Sequence, residues 1–362
     1  MSDPSSRIWR VAVIGAGAVV QRSHIPNFQA LPNAKVVAVC DINPERARQV
    51  AQAAGIPGVY TDYQTLLAEV RPEIVVVATP NIFHKPMTLA ALEAGAHVLC
   101  EKPLALTAAD AVEMLERARE VGRVLTVGTH YRWSAPMRAA KAHIDGGFCG
   151  EIYAARTVWH RRAGIPGFGS WFTRQELAGG GALLDIGIHA LDRALYLMGY
   201  PQPLTVTGAT YAKLGPQGLG MGGWGADRLA PEAGGRFDVD DLAWGMVRLD
   251  SGAVLILQVS WAVHMAPEFV TEIFGDRGGL RVGHPNSVEL FTTQHGQLIT
   301  GESQVPRQEE SSYTAMVRDL LRYLEGDTSA RIITPEEALN AVRIIEGIQR
   351  SAESGREVVL AR

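Results

Sequence analysis

In the first third of the chain, short apolar runs alternate with longer segments whose apolar residues recur at helical spacing. The apolar runs occupy residues 11–14, 35–40, 74–78, 97–100 and 123–127. Helical segments lie among them at residues 19–30, 44–54, 63–70, 84–94 and 107–121. Strands that alternate with helices form parallel sheets covered by helices on both faces. We therefore predict an α/β domain over residues 1–130, built on a doubly wound parallel sheet of six strands.

From Tyr131 onward the pattern changes to longer β-rich runs. After one helix at 136–144, these runs occupy residues 152–160, 204–211, 241–249, 253–260, 269–275 and 287–291. Residues 250–252 and 276–279 are typical hairpin connections, and two helices at 313–325 and 335–353 close the chain. The pattern predicts an α+β domain over residues 131–362, with a large, mostly antiparallel open sheet and helices on one face. The glycine-rich stretch 214–236 is a loop, a lid or a disordered segment, and the sequence does not separate these alternatives.

Composition narrows the class of protein. The chain has 362 residues, of which 47% are hydrophobic and 20% charged, and its net charge of −4 includes no basic run. Nucleic acid is therefore not an expected partner. No apolar run approaches the roughly 20 residues that span a bilayer, and the first residues lack a secretory signal. We expect a cytoplasmic protein with no membrane partner. The three cysteines, Cys40, Cys100 and Cys149, have no metal-type spacing, so neither a metal site nor a disulfide framework is expected.

A glycine turn directly after the first predicted strand nearly matches the dinucleotide-binding fingerprint. It reads Gly15-Ala16-Gly17-Ala18-Val19-Val20. The first glycine permits a tight turn, and the second lets a pyrophosphate approach the N–H groups at the helix start. Val20 replaces the usual third glycine or alanine, which predicts looser helix packing or slightly displaced phosphates. The turn predicts a Rossmann domain.

The cofactor preference depends on the end of the second predicted strand. Asp41 lies there, where a carboxylate accepts hydrogen bonds from the ribose diol and repels a 2′-phosphate. NAD is therefore expected as the cofactor. NADP is less favoured, because Arg46 is the nearest cation that would admit the extra phosphate.

Two further polar segments follow predicted strands. The first contains Thr79, Pro80, Asn81 and His84, and the second is Glu101-Lys102-Pro103. Ligands of open α/β sheets bind at the carboxyl ends of the strands, so we predict that both segments contact the cofactor and that Lys102 also faces the substrate. Two alternatives stay open: Asn81 caps the next helix, or Lys102 is a solvated surface charge.

The second candidate segment reads as a helix preceded by three glycines, Gly179 to Gly181. At about 100° per residue, Asp185, His189 and Asp192 form a polar stripe beside an apolar stripe of leucine and isoleucine. An imidazole next to a carboxylate suits a base that removes the O–H proton of a secondary alcohol while hydride leaves the same carbon. The alternative is a structural capping or packing contact. The glycines favour close approach of a ligand or of another backbone.

Taken together and in this order, these motifs resemble those of the Gfo/Idh/MocA family, which includes glucose–fructose oxidoreductase and inositol dehydrogenase. The resemblance covers essentially the whole chain. It implies a Rossmann domain, a second α/β domain with an open sheet, and a catalytic group of Lys102, Asp185 and His189. It also implies oxidoreduction of a sugar, sugar nucleotide or cyclitol, and a homodimer or homotetramer that assembles through the open sheet.

Substrate specificity is expected to depend on residues outside the catalytic group. The candidates are cations and aromatic side chains that suit binding to a sugar: Arg132, Trp133, His160 with Arg161 and Arg162, and Trp171. For the aromatic residues, the alternative is a place in the core. Two other functions fit the same motifs. One is a redox-neutral glycosidase that oxidises C3 of a glycoside transiently and then returns the hydride; the other is a cofactor-binding regulator without catalysis.

Overall fold

The computed structural model describes residues 7–222, 235–283 and 287–360, and the chain divides into two compact units. One unit comprises Met1–His130 and Glu310–Leu339, and the other comprises Tyr131–Glu309 and Asn340–Arg362. The two-domain prediction placed the segment Glu310–Leu339 with the second half of the chain. Its contacts explain why it joins the first unit: Glu325 accepts a hydrogen bond of 3.2 Å from the Trp9 indole, and the Ile333 carbonyl accepts one of 2.9 Å from Thr126.

The first unit contains a six-stranded parallel sheet. Its strands are β1 (Trp9–Ile14), β2 (Ala34–Cys40), β3 (Gly58–Tyr60), β4 (Ile74–Val77), β5 (His97–Cys100) and β6 (Leu125–Val127). They pair in the order β3-β2-β1-β4-β5-β6, which confirms the predicted Rossmann sheet. Only β3 had no apolar run to predict it, because it has three residues and lies, incompletely buried, at the sheet edge.

The helices of the first unit begin and end within one residue of the predicted positions, except that α1 is shorter, because a π-turn over Val20–His24 precedes it. They are α1 (Ile25–Gln29), α2 (Pro44–Ala54), α3 (Tyr63–Val70), α4 (His84–Glu93), α5 (Ala108–Glu120) and α9 (Ser312–Leu324). The side chains of Asn43, Asp62 and Thr107 accept hydrogen bonds from N–H groups in the first turns of α2, α3 and α5. Such caps satisfy donors that have no partner within the helix, and they fix where each helix starts.

The second unit is built on a nine-stranded sheet. Its strands are β7 (Ile152–His160), β9 (Pro203–Tyr211), β11 (Leu242–Leu249), β12 (Val254–Ser260), β13 (Glu268–Gly275), β14 (Gly278–Gly283), β15 (Ser287–Gln294), β16 (Gln297–Glu302) and β17 (Val358–Val359). They pair in the order β16-β15-β14-β13-β7-β12-β11-β9-β17. Among the described strands of this sheet, only β7 and β12 pair in parallel, so the predicted mostly antiparallel sheet is confirmed. A separate short pair joins β8 (Ile165–Pro166) and β10 (Met221–Gly222).

Helices pack on one face of this sheet. The helices associated with the second unit are α6 (Ala135–Asp145), α7 (Gln175–Ala178), α8 (Ile188–Met198) and α10 (Pro335–Ser354), the last of which begins in the first unit. Ile348 of α10 occupies the space above Gly208 and Gly245, since a Cβ atom on these glycines would lie 2.8 and 2.5 Å from it, respectively. Trp244, Phe274 and Phe291 lie on the opposite face and are 51%, 40% and 40% exposed.

Two further findings bear on the compositional expectations. No helix within the described residues is long and apolar enough to cross a membrane. Cys40, Cys100 and Cys149 are buried free thiols. Burial raises the pKa of Cys149 to about 11, which keeps this thiol protonated at neutral pH.

Candidate active site

The glycine turn after β1 has the geometry that a dinucleotide needs. Gly15 has φ of +102°, and a Cβ there would lie 2.2 Å from the Ala78 carbonyl oxygen, so only glycine fits between β1 and β4. A Cβ on Gly17 would meet nothing within 4 Å, which leaves open space at the start of the following helix. That helix spans residues 18–29 and widens into a π-turn over Val20–His24. The wider turn begins at Val20, the position where the fingerprint prediction expected looser packing.

Asp41 lies beside this turn at the end of β2. Its Oδ2 accepts a hydrogen bond of 2.9 Å from the Ala16 N–H, and its Oδ1 accepts one of 2.9 Å from the Asn43 N–H. The carboxylate is buried. The half-exposed Arg46 guanidinium lies 3.5 Å from Asp41 Oδ2. The residues present therefore fit an adenine-side ribose of NAD, with the carboxylate held where the ribose diol would bind.

The segment after β4 divides into a buried scaffold and a candidate cofactor contact. Asn81 is buried and begins a short helical turn, Asn81–Phe83; its contact with the cofactor stays a prediction. His84 is fully buried: its Nδ1 lies 2.7 Å from the Pro103 carbonyl oxygen and its Nε2 lies 3.0 Å from the Thr79 carbonyl oxygen. The predicted contact of His84 with the cofactor is corrected, because both ring nitrogens contact the protein's own main chain. His84 joins the two turns that follow β4 and β5.

Glu101 anchors the turn that carries Lys102. Its Oε1 lies 2.7 Å from Nε2 of the fully buried His24, and its Oε2 accepts a hydrogen bond of 3.0 Å from the Lys102 N–H. Burial raises the pKa of Glu101, but the His24 hydrogen bond and the charges of His24 and Lys102 outweigh it, so the net pKa is lowered. A Cβ on Gly128 would lie 2.9 Å from Glu101 Oε1. Glu101 is therefore a buried, ionised support, and the following Lys102–Pro103 peptide is cis.

In the second unit, the three glycines before the candidate helix allow contact with the protein's own chain. A Cβ on Gly181 would lie 1.8 Å from the Asp240 carbonyl oxygen. The Asp240 carboxylate accepts hydrogen bonds of 2.7 and 2.8 Å from the Gly181 and Leu183 N–H groups. Burial nevertheless raises the pKa of Asp240 to about 6. At Gly181, another backbone makes the close approach, which is one of the two partners that the sequence left open for these glycines.

Asp185 does not lie in a regular α-helix. It belongs to a π-turn, Leu183–Gly187, which leads directly into α8. The predicted stripe assumed 100° per residue; a π-turn has more residues per turn, so the angle between Asp185 and His189 differs from the prediction. The Asp185 carboxylate is buried and accepts a hydrogen bond of 2.8 Å from the Trp261 indole N–H. This bond orients the carboxylate from outside its own helix.

His189 is surrounded by aromatic side chains. The Tyr131 ring lies edge-on to the imidazole at 5.3 Å between centroids, and Trp159 lies at 6.1 Å. Phe269 packs against both, at 5.4 Å from Tyr131 and 4.1 Å from Trp159. His189 itself is buried. An imidazole packed against aromatic rings has the mixture of apolar walls and one polar group that is typical of small-molecule sites.

The predicted specificity residues separate into two groups. Arg132 and Trp133 are buried, and the Arg132 guanidinium forms an ion pair of 2.6 Å with Asp192. These two substrate contacts are corrected, because the arginine is used in an internal ion pair and the tryptophan in the core. His160 and Trp171 are incompletely buried, and Trp171 stacks on Phe172 at 3.8 Å. These two residues remain candidates for substrate contact.

Several residues of this site had not been singled out from the sequence. Trp261 and Asp240 follow no motif, and both lie far in sequence from their partners, Asp185 for Trp261 and Gly181 with Leu183 for Asp240. Arg193 lies four residues beyond His189, and helical spacing places residues four apart on the same face, so the sequence did contain a signal for this residue. Its guanidinium lies 4.0 Å above the Phe269 ring, and burial lowers its pKa to about 10. The described residues contain no group of three or more His, Cys, Asp or Glu side chains arranged to hold a metal ion.

Comparisons with known proteins identify the family of this chain. Residues 9–129 match the family described as "Oxidoreductase family, NAD-binding Rossmann fold", and residues 137–281 match the GFO/IDH/MocA C-terminal domain. D-glucoside 3-dehydrogenase of Escherichia coli is 33% identical over 361 residues, covering 99% of both chains.

Solved structures give the same result. Aldose-aldose oxidoreductase from Caulobacter crescentus, solved with glycerol, has a TM-score of 0.80 at 27% identity and covers 98% of this chain and 100% of its own. GenD2 from gentamicin A biosynthesis, solved with NAD, has a TM-score of 0.78 at 26% identity and covers 98% of this chain and 97% of its own. The expected family and the expected oxidoreductase class are thereby confirmed. The chain belongs to the Gfo/Idh/MocA family of NAD-binding oxidoreductases.

Proposed function

We propose that this protein is an NAD-dependent dehydrogenase that oxidises a secondary hydroxyl group of a sugar or glycoside. The observation that carries the proposal is the buried His189, which lies beside aromatic rings and four residues from the Asp185 carboxylate held by Trp261. The resemblance to a glucoside 3-dehydrogenase over 99% of both chains supports a sugar as the substrate class.

Each of three residues receives one role in this proposal. His189 accepts the hydroxyl proton. Lys102 donates a hydrogen bond to the same oxygen and stabilises the negative charge that develops there. Asp185 orients the substrate and the imidazole. The C–H bond of the carbinol carbon breaks as hydride leaves, so the alcohol becomes a ketone and one proton is released. NAD supplies the hydride acceptor.

The residues of the first unit support NAD as the cofactor. The cradle at Gly15 and Gly17 leaves room for a pyrophosphate next to the N–H groups at the helix start. Asp41 presents a buried carboxylate to the ribose diol. Thr79, Pro80 and Asn81 remain the candidate contacts on the nicotinamide side. NADP would bring a phosphate close to Asp41, and Arg46, which lies 3.5 Å from that carboxylate, would offset only part of the repulsion.

The test measures NADH formation with purified protein against a panel of glucosides, inositols, aldoses and anhydrosugars. A dehydrogenase accumulates NADH in proportion to ketone. A redox-neutral glycosidase releases sugar without net NADH, and a regulator does neither, so either of those results would contradict the proposal.

The Lys102→Met variant tests the site itself. The substitution removes the ammonium group but keeps an unbranched side chain, so we expect kcat to fall by about 100-fold or more with NAD affinity near that of the wild type. Lys35→Met is the matched control, because Lys35 is an exposed lysine at the start of β2. An undiminished rate in Lys102→Met would refute the role of this residue.

We also propose that the protein is a homodimer or homotetramer that assembles through the uncovered face of the nine-stranded sheet. Support comes from Trp244, Phe274 and Phe291, which are exposed on the face opposite α8 and α10. Exposed aromatic residues of this kind are typical of interface centres. Trp244→Glu should shift the sedimentation coefficient to that of a smaller species, whereas an unchanged coefficient would exclude this face.

A further inference from the structure

We propose that a groove in the second unit binds an oxyanion carried by the part of the substrate distant from the oxidised carbon. This inference rests on the proposed function, and it names a narrower substrate class: sugars whose anomeric substituent is a phosphate or carries a carboxylate.

The groove has a volume of about 600 Å³. Its lining combines three cationic or ionisable nitrogen side chains with apolar walls, formed by Arg161, Arg162, His264, Leu214, Leu219 and Pro267. No acidic residue is among the described residues that line it. Positive charge without a carboxylate in the same wall attracts an anion, and the apolar walls suit the carbon skeleton that carries it.

Arg161 is held in place by its packing. Its guanidinium lies 4.7 Å above the Trp159 ring. A Cβ on Gly164 would lie 2.5 Å from Arg161 Cδ, so the aliphatic stem occupies space that only a glycine leaves open. The Arg161 N–H donates to the Ser260 carbonyl oxygen at 3.0 Å. A guanidinium fixed in this way loses little conformational entropy when it binds an oxyanion.

Arg161 also relates the groove to the candidate catalytic helix. Trp159, over which it lies, is 6.1 Å from the His189 ring. Burial lowers the pKa of Arg161, whereas the Asp185 and Tyr131 charges raise it, so this guanidinium is within electrostatic range of Asp185. One substrate would therefore extend from His189, past Trp159, to the groove. The sugar would be oxidised at one end and its anionic substituent would bind at the other.

The neighbouring Arg162 provides the test, because it lines the groove, is exposed and has no assigned catalytic role. Two pairs of substrates separate charge from shape, each with one anionic and one neutral member. The first pair is 4-carboxyphenyl β-D-glucoside with phenyl β-D-glucoside. The second pair is glucose 1-phosphate with methyl α-D-glucoside. We expect the anionic member of at least one pair to have a kcat/KM about tenfold higher, which is the scale of one charge-assisted hydrogen bond. The pair that shows the preference identifies carboxylate or phosphate as the source of the charge.

In Arg162→Gln, the ratio of kcat/KM for the anionic substrate to kcat/KM for its neutral partner should fall at least threefold. Arg248→Gln is the control, since Arg248 is an exposed arginine on β11 outside the groove. The higher kcat/KM of the anionic substrate relative to its neutral partner should also decline with added salt, because the interaction is electrostatic. Equal kcat/KM values within both pairs, with NADH formed from each substrate, would overturn the inference and leave the proposed dehydrogenase intact.

Calorimetric titration of the protein with 4-carboxyphenyl β-D-glucoside and with glucose 1-phosphate gives a readout without turnover. We expect at least one of them to bind more weakly to Arg162→Gln than to the wild type or to Arg248→Gln. If no sugar reduces NAD and this difference persists, the dehydrogenase proposal fails and the groove is supported. Equal affinities of the wild type, Arg162→Gln and Arg248→Gln would overturn the proposal that the groove binds an oxyanion.

Discussion

At the scale of single residues, the candidate site depends on buried side chains that hold the reactive ones. Glu101 contacts His24 and the Lys102 main chain, and Trp261 donates to the Asp185 carboxylate. Neither Glu101 nor Trp261 needs to touch a substrate to affect catalysis, because each fixes the position of a neighbouring polar group.

Trp261→Phe tests the support of Asp185. The variant keeps an aromatic ring but removes the indole N–H, so the buried carboxylate loses its described donor. We expect kcat/KM to fall about tenfold, in line with loss of a hydrogen bond to a charged group. Steady-state kinetics would check this, with Trp244→Phe on the exposed sheet face as control. A normal kcat/KM for Trp261→Phe would mean that the indole is a packing residue only.

Glu101→Gln tests the support of Lys102. Glutamine has the same shape but no charge, and its amide nitrogen replaces one of the two acceptor oxygens that Glu101 uses. We expect the free energy of unfolding to fall by about 1–3 kcal/mol. Urea denaturation measures this change. Glu93→Gln, at a residue 58% exposed in its side chain, should change stability by less than about 0.5 kcal/mol.

At the scale of elements, a π-turn occurs both in the helix that follows the glycine turn and at the start of the helix that carries His189. Val20–His24 lies in the helix after the glycine turn, and Leu183–Gly187 leads into α8. These wider turns contain His24 and Asp185, the residues that contact Glu101 and Trp261. Apolar periodicity predicts a helix in each place but does not reveal an added residue per turn, because that depends on what the helix packs against.

Gly181→Ala should disrupt the start of the second of these helices. A Cβ there would lie 1.8 Å from the Asp240 carbonyl oxygen, and both positions are main chain, which cannot rotate away. We expect a loss of about 3 kcal/mol or more in unfolding free energy, at the upper end of overpacking effects. Thermal unfolding measures this loss. Gly301→Ala is the control, because a Cβ there meets nothing within 4 Å, and an equal effect of both changes would contradict the close approach.

At the scale of the whole molecule, the chain divides into two compact units, and the segment Glu310–Leu339 belongs to the first unit, whereas the prediction placed it in the second half of the chain. Two partly buried histidines, His97 and His130, should make the stability of the first unit sensitive to acid. Burial, with help from the Arg123 and Arg7 charges, lowers the pKa of His97 to about 4. Burial also lowers the pKa of His130 to about 4.

These two shifts set the direction of the pH dependence. An unfolded histidine has a pKa of about 6.5, so between pH 6.5 and 4 the unfolded chain binds more protons than the folded one. The contribution of these two neutral histidines to the free energy of unfolding is complete above pH 6.5, and it is lost as the pH falls through this range. His97→Gln should retain an acceptor for the Val124 N–H, which His97 Nδ1 bonds at 3.0 Å, and should lose less stability on acidification. Urea denaturation at pH 7, 5.5 and 4.5 would show this, with the exposed His295→Asn as control; identical pH slopes would contradict it.

The sequence by itself determined most of the longer helices and strands, the class of each sheet and the identity of the motif residues. These follow from local periodicity and from spacings within about ten residues, such as Gly15 to Val20 or Asp185 to His189. Only the tertiary structure decided which polar side chains are internal. His84 and Arg132 looked like ligand contacts, yet the Pro103 carbonyl and Asp192 bind them. Trp261 and Asp240 had no motif, yet they hold the candidate helix. The physical reason is that burial and hydrogen-bond partners are set by residues far apart in sequence, where no periodic pattern reaches.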